Sequence, residues 1–491
     1  MNTTPLLGPG GTIFMALYLF SLIGIGLWGR FTRKEDSMAD FYLAGRGMSL
    51  SVLFLTLYAT QYSGNTLIGF AGKAYREGYF TLTSVMMLSA VVGGFLIYAP
   101  RFYRLSRRHH YITVGDYIHH RFNSTTLTVF ASILIIVAMA NYILTNLKAV
   151  GFIVETTTGG QITFAQGVIV LSLIMVIYET LGGMRSVALT DVIQGVLLMA
   201  GVVIVFITMQ IEYGGLSSTA RFLAEQKPEM WMSPDWPTKR LWFSTILLGF
   251  FGVAIYPHAI QRIYAAKNER TLRRSLQLMA FMPLITTFFM VMIGVVGSTQ
   301  IPGLDRQGSE QIALLLVNDM AQRVPALSLL LVLFISAAVA AIMSTIDSAL
   351  LAISSLATQD LYRRLRPEVS QAHLTRFGKV FSWLLMALVV YLALVLPQTI
   401  WRLMEVKLEL LIQVAPSIFL GVHLRSLRSR AVLMGMITGT TVALAIMFGD
   451  TIGLHISNKP WGVHAGVWGL MINSMTIAFF SLKYGIRQKE G

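Results

Sequence analysis

Long apolar runs separated by short polar segments are the feature that most constrains this chain of 491 residues. A helix needs about 20 residues to cross a hydrocarbon layer of roughly 30 Å, and about thirteen runs approach or exceed that length. Backbone inside lipid must satisfy its own hydrogen bonds, so each run is expected to be helical. The sequence therefore predicts an all-α integral membrane protein whose spans cover residues 11–29, 50–70, 80–100, 124–152, 162–180, 190–211, 241–260, 276–297, 325–358, 379–398, 404–424, 431–449 and 463–484.

Composition agrees with a single membrane domain over residues 1–491. Charged residues make up 12% of the chain, against about a quarter in soluble domains. The net charge of +15 comes from basic clusters between apolar runs, which does not resemble a nucleic-acid-binding face. The chain has no cysteine, and we find no nucleophile elbow, phosphate-binding loop or zinc helix motif. An enzyme is therefore not expected.

The basic clusters also orient the chain. Most of the 38 Lys and Arg residues fall between runs that face one side if the N-terminus is outside, as in residues 101–121, 262–274, 363–379 and 425–430. Cytoplasmic loops are the ones enriched in Lys and Arg. We therefore expect a multi-pass protein of the cytoplasmic (inner) membrane with a cytoplasmic C-terminus, embedded in the lipid bilayer as a monomer or weak oligomer.

Two runs of opposite direction contain helix breakers near mid-membrane. Ser63, Gly64 and Asn65 interrupt run 50–70, and Gly252 and Pro257 interrupt run 241–260. Paired interrupted helices indicate a transporter with inverted repeats and a binding site at the membrane centre. We expect two five-helix repeats, residues 50–211 and 241–424, with one extra helix at 11–29 and two at 431–484.

One face of the ninth run carries small and hydroxyl-bearing residues. Ala341, Ser344, Thr345 and Ser348 recur at spacings of three and four, so they share one side of a helix. Hydroxyl oxygens suit a hard cation such as sodium, and free carbonyls at an interrupted helix add further ligands. Helix packing in lipid uses the same residue types, so spacing alone leaves both interpretations open.

Several ionisable or polar residues fall within the runs. Asp347 is expected to bind an ion, carry a proton or pair with a Lys or Arg, and Asp191 either joins a site or interacts with its helix N-terminus. Gln413 is a candidate solute ligand, and His258 is a candidate gate or a cap for freed carbonyls. Three charged residues near the outer end of the eleventh run are expected to be solvated at the interface: Glu405, Lys407 and Glu409.

Five short motifs, in order along nearly the whole chain, resemble the sodium/solute symporter family, which includes proline, pantothenate, monocarboxylate and sugar transporters. They are Asp40-Phe41-Tyr42-Leu43-Ala44-Gly45-Arg46, Ala59-Thr60-Gln61-Tyr62-Ser63-Gly64, Gly182-Gly183 with Thr190-Asp191 and Gln194, Pro257-His258 with Gln261-Arg262, and Ala341-Ile342-Met343-Ser344-Thr345. The resemblance implies thirteen helices, an outside N-terminus and the inverted five-helix repeat of amino-acid transporters.

The resemblance also implies site residues. The main sodium site would take the carbonyls of Ala59, Tyr62 and Ala341 and the hydroxyls of Ser344 and Thr345. A candidate second ion site comprises Asp191, Ser344, Asp347 and Ser348, where Asp347 replaces a serine of other members and makes proton coupling an alternative. The solute is expected to contact a polar, uncharged and aromatic set: Gln61, Asn65, Tyr142, Asn146, Tyr256 and Gln413.

We therefore expect a symporter that uses sodium to import a small polar organic solute by alternating access, with an organic acid or amino acid favoured. Sodium is the coupling ion rather than a prosthetic group. Two alternatives stay open. One is a membrane sensor or receptor with a transporter-like fold, and the other is a proton-coupled carrier.

Overall fold

The computed structural model describes residues 6–32, 35, 37–324, 327–396, 400–450, 453 and 455–487. Within these residues, regular secondary structure is helical, apart from one isolated parallel bridge between Met48 and Ala266. The all-α class predicted from the apolar runs is therefore confirmed.

Twenty-three α-helices follow one another along the described chain. The first nine are α1 (Pro9–Phe31), α2 (Met38–Leu43), α3 (Leu50–Gln61), α4 (Phe70–Glu77), α5 (Thr83–His109), α6 (Val114–Phe122), α7 (Thr125–Thr157), α8 (Phe164–Gly182) and α9 (Met184–Glu212). The remainder are α10 (Gly215–Gln226), α11 (Trp236–Gly252), α12 (Pro257–Ala265), α13 (Glu269–Met279), α14 (Phe288–Gln300), α15 (Arg306–Ser309), α16 (Ile312–Arg323), α17 (Ser328–Leu356), α18 (Arg363–Leu365), α19 (Gln371–Val395), α20 (Ile400–Leu411), α21 (Ala415–His423), α22 (Ser429–Met447) and α23 (Ala465–Arg487).

Among the residues described, 12 helical stretches are long and apolar enough to cross a membrane, when helices joined by a short 3-10 or π segment count as one. Helix α3 is also apolar but has only 12 residues. It forms the first part of the predicted run 50–70, which is interrupted. The expected count of about thirteen is confirmed to this extent.

Helix α3 ends where the breakers predict an interruption. Tyr62 has extended backbone, with φ −102° and ψ 91°, and the chain resumes as a π-helix over Asn65–Gly69. A Cβ atom added at Gly64 would lie 2.2 Å from Cγ1 of Ile342 in α17. Glycine therefore permits an approach that holds the interrupted segment against α17.

The second interruption separates α11 from α12. After a 3-10 turn, Tyr256 has φ −53° and ψ 127°, and Pro257 is the first residue of α12. Proline disfavours helical backbone in the residue before it and suits the first position of a helix. The two interrupted spans fit the inverted five-helix repeat, while the repeat bounds 50–211 and 241–424 stay a prediction.

Helix α17 forms the centre of the molecule. In the span Ser328–Leu365, 83% of the most apolar 18-residue window is buried inside the protein, against 17% for Pro9–Phe31. It packs against α3, α7, α9 and α12. Side chains on α17 therefore face protein rather than lipid, which is the environment that a polar site inside a membrane requires.

The end of the molecule that carries the basic clusters is tied together by arginine side chains. Arg46 donates to the Tyr111 carbonyl at 2.8 Å, and Arg107 donates to the Lys267 carbonyl at 2.6 Å. Arg107 also donates to the Arg46 carbonyl at 3.2 Å. These bonds join the loop after α2 to the ends of α5 and α12.

Candidate functional site

The predicted main sodium site lies at the break of α3 and the facing part of α17. All five of its residues are buried, namely Ala59, Tyr62, Ala341, Ser344 and Thr345. The last carbonyls of a helix have no N–H donor within that helix. In α3 the carbonyls after that of Tyr58 are therefore available to other partners. Carbonyl and hydroxyl oxygens are the ligands of hard cations. The residues present therefore fit sodium.

The two hydroxyls of this site point to different partners. Thr345 Oγ1 donates to the carbonyl of Ala341 at 2.9 Å, which keeps two predicted ligands together. Ser344 Oγ donates to Oδ1 of Asp191 in α9 at 2.6 Å. Ser344 therefore links the main site to the cluster predicted as a second ion site.

Arg262 of α12 occupies that second cluster. Its Nη2 atom lies 2.8 Å from Asp191 Oδ2 and donates to Ser348 Oγ at 2.6 Å, and its Nε donates to Thr56 Oγ1 at 2.8 Å. Both Arg262 and Asp191 have 0% exposure. Thr56 and Ser344 also donate to the Asp191 carboxylate. The guanidinium of Arg262 thus contacts two of the four predicted ligands, Asp191 and Ser348. A third predicted ligand, Ser344, bonds to the Asp191 carboxylate.

Asp347, which directly precedes Ser348 in α17, is the second carboxylate of this cluster. Its Oδ2 accepts from the Tyr178 hydroxyl at 2.5 Å, and its Oδ1 accepts from Ser348 Oγ at 3.2 Å. Among the described residues, no Lys or Arg forms an ion pair with it. The cluster therefore holds two carboxylates around one guanidinium.

The expectation that Arg262 belongs to a basic loop, residues 262–274, is wrong. Because Pro257 starts a new helix, the chain continues through the core to Ala265, and Arg262 lies inside it. One feature of the sequence could have predicted the burial of Arg262. A buried Asp191 needs a cationic or hydrogen-bonding partner, and Arg262 lies one turn beyond the motif residue His258.

A cavity adjoins the α3 break. Three of the residues predicted to bind solute line it, Gln61, Tyr142 and Tyr256, and Ser63 and Thr66 add hydroxyls. The rings of Tyr142 and Tyr256 lie 5.4 Å apart. Most of the lining residues are uncharged. The charged residues in the cavity wall are Lys73, Glu405 and Lys407.

The other predicted solute ligands lie elsewhere. Asn146 is buried and donates to the Tyr142 carbonyl at 2.9 Å, one turn away within α7. Gln413 donates to the Gly466 carbonyl at 2.9 Å and so faces α23. Neither is among the residues that line the cavity. The side chain of Asn65 lies outside the described residues.

Three charged residues of α20 that were expected to be solvated are buried, so that expectation is wrong. Glu405, Lys407 and Glu409 have exposures of 5%, 3% and 0%. Glu405 pairs with Lys459 at 2.5 Å, and Glu409 Oε1 lies 3.6 Å from Nδ1 of His464. The segment that leads into α23 supplies both partners and covers this side of α20.

Lys407 turns the other way, toward the tyrosines of the cavity. Its Nζ lies 3.3 Å from the centre of the Tyr142 ring and 5.3 Å from that of Tyr256. His258 packs beside the same rings, 5.0 Å from Tyr256 and 6.3 Å from Tyr142 between ring centres, and is 1% exposed. Its role as a gate stays a prediction.

Comparisons with known proteins agree with this arrangement. The pattern of the sodium:solute symporter family matches residues 41–439. The sodium/pantothenate symporter of Haemophilus influenzae is 28% identical over 394 residues, 79% of each chain. Sodium/proline symporter 2 of Staphylococcus saprophyticus is 27% identical over 482 residues, 96% of this chain and 92% of the relative. A solved structure of a substrate-bound, outward-open Na⁺-coupled sialic acid symporter matches with a TM-score of 0.78 at 20% identity, covering 96% of this chain and 97% of that one.

Two interrupted membrane helices around a buried, oxygen-rich site define a sodium-coupled transporter of solutes. Its fold is shared with the sialic acid symporter over nearly the whole chain. The chain belongs to the sodium:solute symporter family. Sodium is accordingly its coupling ion, and the family is one of transporters rather than enzymes.

Proposed function

We propose that this protein imports a small organic acid or amino acid together with sodium across the cytoplasmic membrane by alternating access. The observation that carries the proposal is the break of α3 against α17. It places Ala59 and Tyr62, the proposed carbonyl ligands of sodium, beside Gln61 and Ser63, which line the cavity. Relatives named for pantothenate and proline transport support this solute class.

Ion and solute are coupled through this shared segment. Sodium joins the carbonyls of the α3 end to Ala341, Ser344 and Thr345 of α17, and so stabilises one arrangement of the segment that lines the solute cavity. The solute must then favour sodium binding by the same factor. With the N-terminus outside and the C-terminus in the cytoplasm, a monomer or weak oligomer carries both inward.

Binding and uptake measurements test this function. Purified protein should melt at a higher temperature with the correct solute in sodium chloride than in potassium chloride, because a ligand of the folded state stabilises it. Proteoliposomes should accumulate the same solute only with a sodium gradient. Solute binding without uptake would favour a sensor, and uptake driven equally well by a proton gradient would favour the proton-coupled alternative.

We further propose that one sodium ion, in the main site, accompanies each solute. The guanidinium of Arg262 supports this because it already neutralises Asp191 and bonds Ser348, which a second ion would have to contact. The dependence of initial uptake on sodium should therefore follow a simple hyperbola in the wild type. A clearly sigmoidal dependence would contradict the single-ion assignment.

A further inference from the structure

Lys407 is a buried lysine without an anionic partner among the described residues. It is 3% exposed, and no ion pair or hydrogen bond joins its ammonium to any residue in the described part of the chain. The nearby acids of α20 are engaged elsewhere, Glu405 with Lys459 and Glu409 near His464. Burying a charge is costly unless it is paired, so the position of Lys407 requires a reason.

The tyrosine rings satisfy Lys407 only in part. A desolvated cation over an aromatic face gains about 2 kcal/mol, and the Nζ of Lys407 lies 3.3 Å from the Tyr142 ring centre. An ammonium also carries three N–H donors, for which the rings provide no lone-pair acceptor. The amino group of Lys407 therefore has unused donors next to a cavity, where an anion would stabilise its charged form.

The cavity beside Lys407 adjoins a second cavity. A wider neighbouring cavity shares Lys73, Thr245, Glu405 and His464 with it and is bordered by residues 229–238. The carboxylate in the inner cavity wall belongs to Glu405, which pairs with Lys459. A solute entering here meets hydroxyls, an amide, aromatic rings and the charge of Lys407.

We propose that the ammonium of Lys407 binds the carboxylate of the transported solute. This solute is an organic acid of net negative charge, because the carboxylate that the described residues place in the cavity wall, Glu405, is paired with Lys459 and does not serve a solute ammonium. The inference rests on the proposed function, since it concerns the same cavity. The carboxylate accepts from Nζ, while Gln61, Ser63 and the two tyrosines contact the uncharged body. A neutral sugar or a cation lacks the group that this site is built to neutralise.

Matched pairs of compounds test the anchor directly. The probes are acetate against acetamide, lactate against lactamide, and pantothenate against panthenol, each measured by thermal stabilisation and by competition for sodium-driven uptake. We expect acids to bind and their neutral partners to fail. Lys407→Met should weaken binding of an acid about 100-fold, as for loss of a charged hydrogen-bonding partner, and Lys407→Arg should retain part of it.

Controls separate this claim from the proposed function. Lys239→Met removes a cation of α11 that lies over the Trp236 ring and outside the lining of both cavities, and should leave the preference for acids intact. Sodium alone should still stabilise Lys407→Met, which shows that this variant is folded. If neutral partners bind as well as acids, if no acid binds the wild type, or if Lys407→Met binds acids normally, the anchor is overturned. If acids bind equally in sodium and potassium, sodium coupling fails while the anchor stands.

Discussion

Arg262 and Lys407 are both buried basic residues of the membrane core, and their surroundings differ. Arg262 bonds to Asp191, Ser348, Thr56 and the His258 carbonyl, so its charge and its donors are used within the protein. Lys407 rests on two rings and has donors to spare. The first residue is therefore suited to hold helices together, and the second to bind a ligand.

Removal of the Thr345 hydroxyl should weaken sodium binding with little effect on folding. Thr345→Ala deletes one of five proposed ligands, and we expect the sodium concentration for half-maximal uptake to rise about tenfold, equivalent to roughly 1.4 kcal/mol. Ser336→Ala is the matched control, because Ser336 makes the same kind of bond to a backbone carbonyl of α17. Equal sodium affinity in both variants would refute the ligand assignment.

The Asp191 and Arg262 pair should show strong coupling in stability. Arg262→Gln leaves a buried carboxylate without its cation and should lower the free energy of unfolding by about 3–5 kcal/mol. The double variant Arg262→Gln with Asp191→Asn should be more stable than Arg262→Gln alone. Thermal unfolding of the four proteins in detergent measures this cycle, and additive losses would mean that the pair does not interact.

At the scale of elements, the interrupted spans place the site. Each break leaves backbone groups unpaired inside the membrane, which is tolerated only where protein or a water-lined cavity surrounds them. The α3 break meets α17, and the α11 break brings Tyr256 to the cavity wall and starts the helix that carries Arg262. One kind of backbone irregularity thus shapes the proposed sodium site, the proposed solute cavity and the buried ion pair.

Close packing of the α3 break should make Gly64 intolerant of a side chain. Gly64→Ala places a Cβ 2.2 Å from Ile342 Cγ1, so we expect loss of uptake and a lower melting temperature. Ile342→Ala removes the clashing atoms and should restore part of both in the double variant. Gly47→Ala is the control, since nothing lies within 4 Å of its added Cβ. Full activity of Gly64→Ala would disprove the tight contact.

The sequence allowed the spans, both breaks and the hydroxyl face of α17 to be predicted, because hydropathy, glycine and proline act locally. It did not reveal the burial of Arg262 or Lys407. Hydropathy scores each charge as a reason for a span to end, whereas the partners that permit burial come from distant positions. Tyr142 lies over 260 residues before Lys407 in the chain, so only the folded structure brings the ring to the ammonium.

At the scale of the whole molecule, the two ends differ. The basic end is bridged by bonds from Arg46 and Arg107 to backbone carbonyls. The cavity at Lys407 continues instead toward the opposite side, through the space bordered by residues 229–238. The proposed solute cavity therefore adjoins the side bordered by residues 229–238.

Uptake should not respond to membrane voltage. One sodium cation and one solute anion carry no net charge when they cross together, whereas each uncompensated charge would gain about 2.3 kcal/mol per 100 mV. Initial uptake of an acid that binds should therefore be measured in proteoliposomes with an imposed potassium diffusion potential at a fixed sodium gradient. Stimulation by an inside-negative potential would indicate a second cation or a neutral solute.

The permanence of Arg262 has an energetic consequence for the cell. A guanidinium that stays in the protein cannot run down a gradient, so the positive charge beside Asp191 contributes no work to transport. If one sodium ion accompanies one solute anion, as proposed, the highest accumulation ratio of the solute equals the ratio of outside to inside sodium. A tenfold sodium ratio provides about 1.4 kcal/mol and sustains roughly tenfold accumulation of the solute. Loss of the membrane potential would not reduce this accumulation.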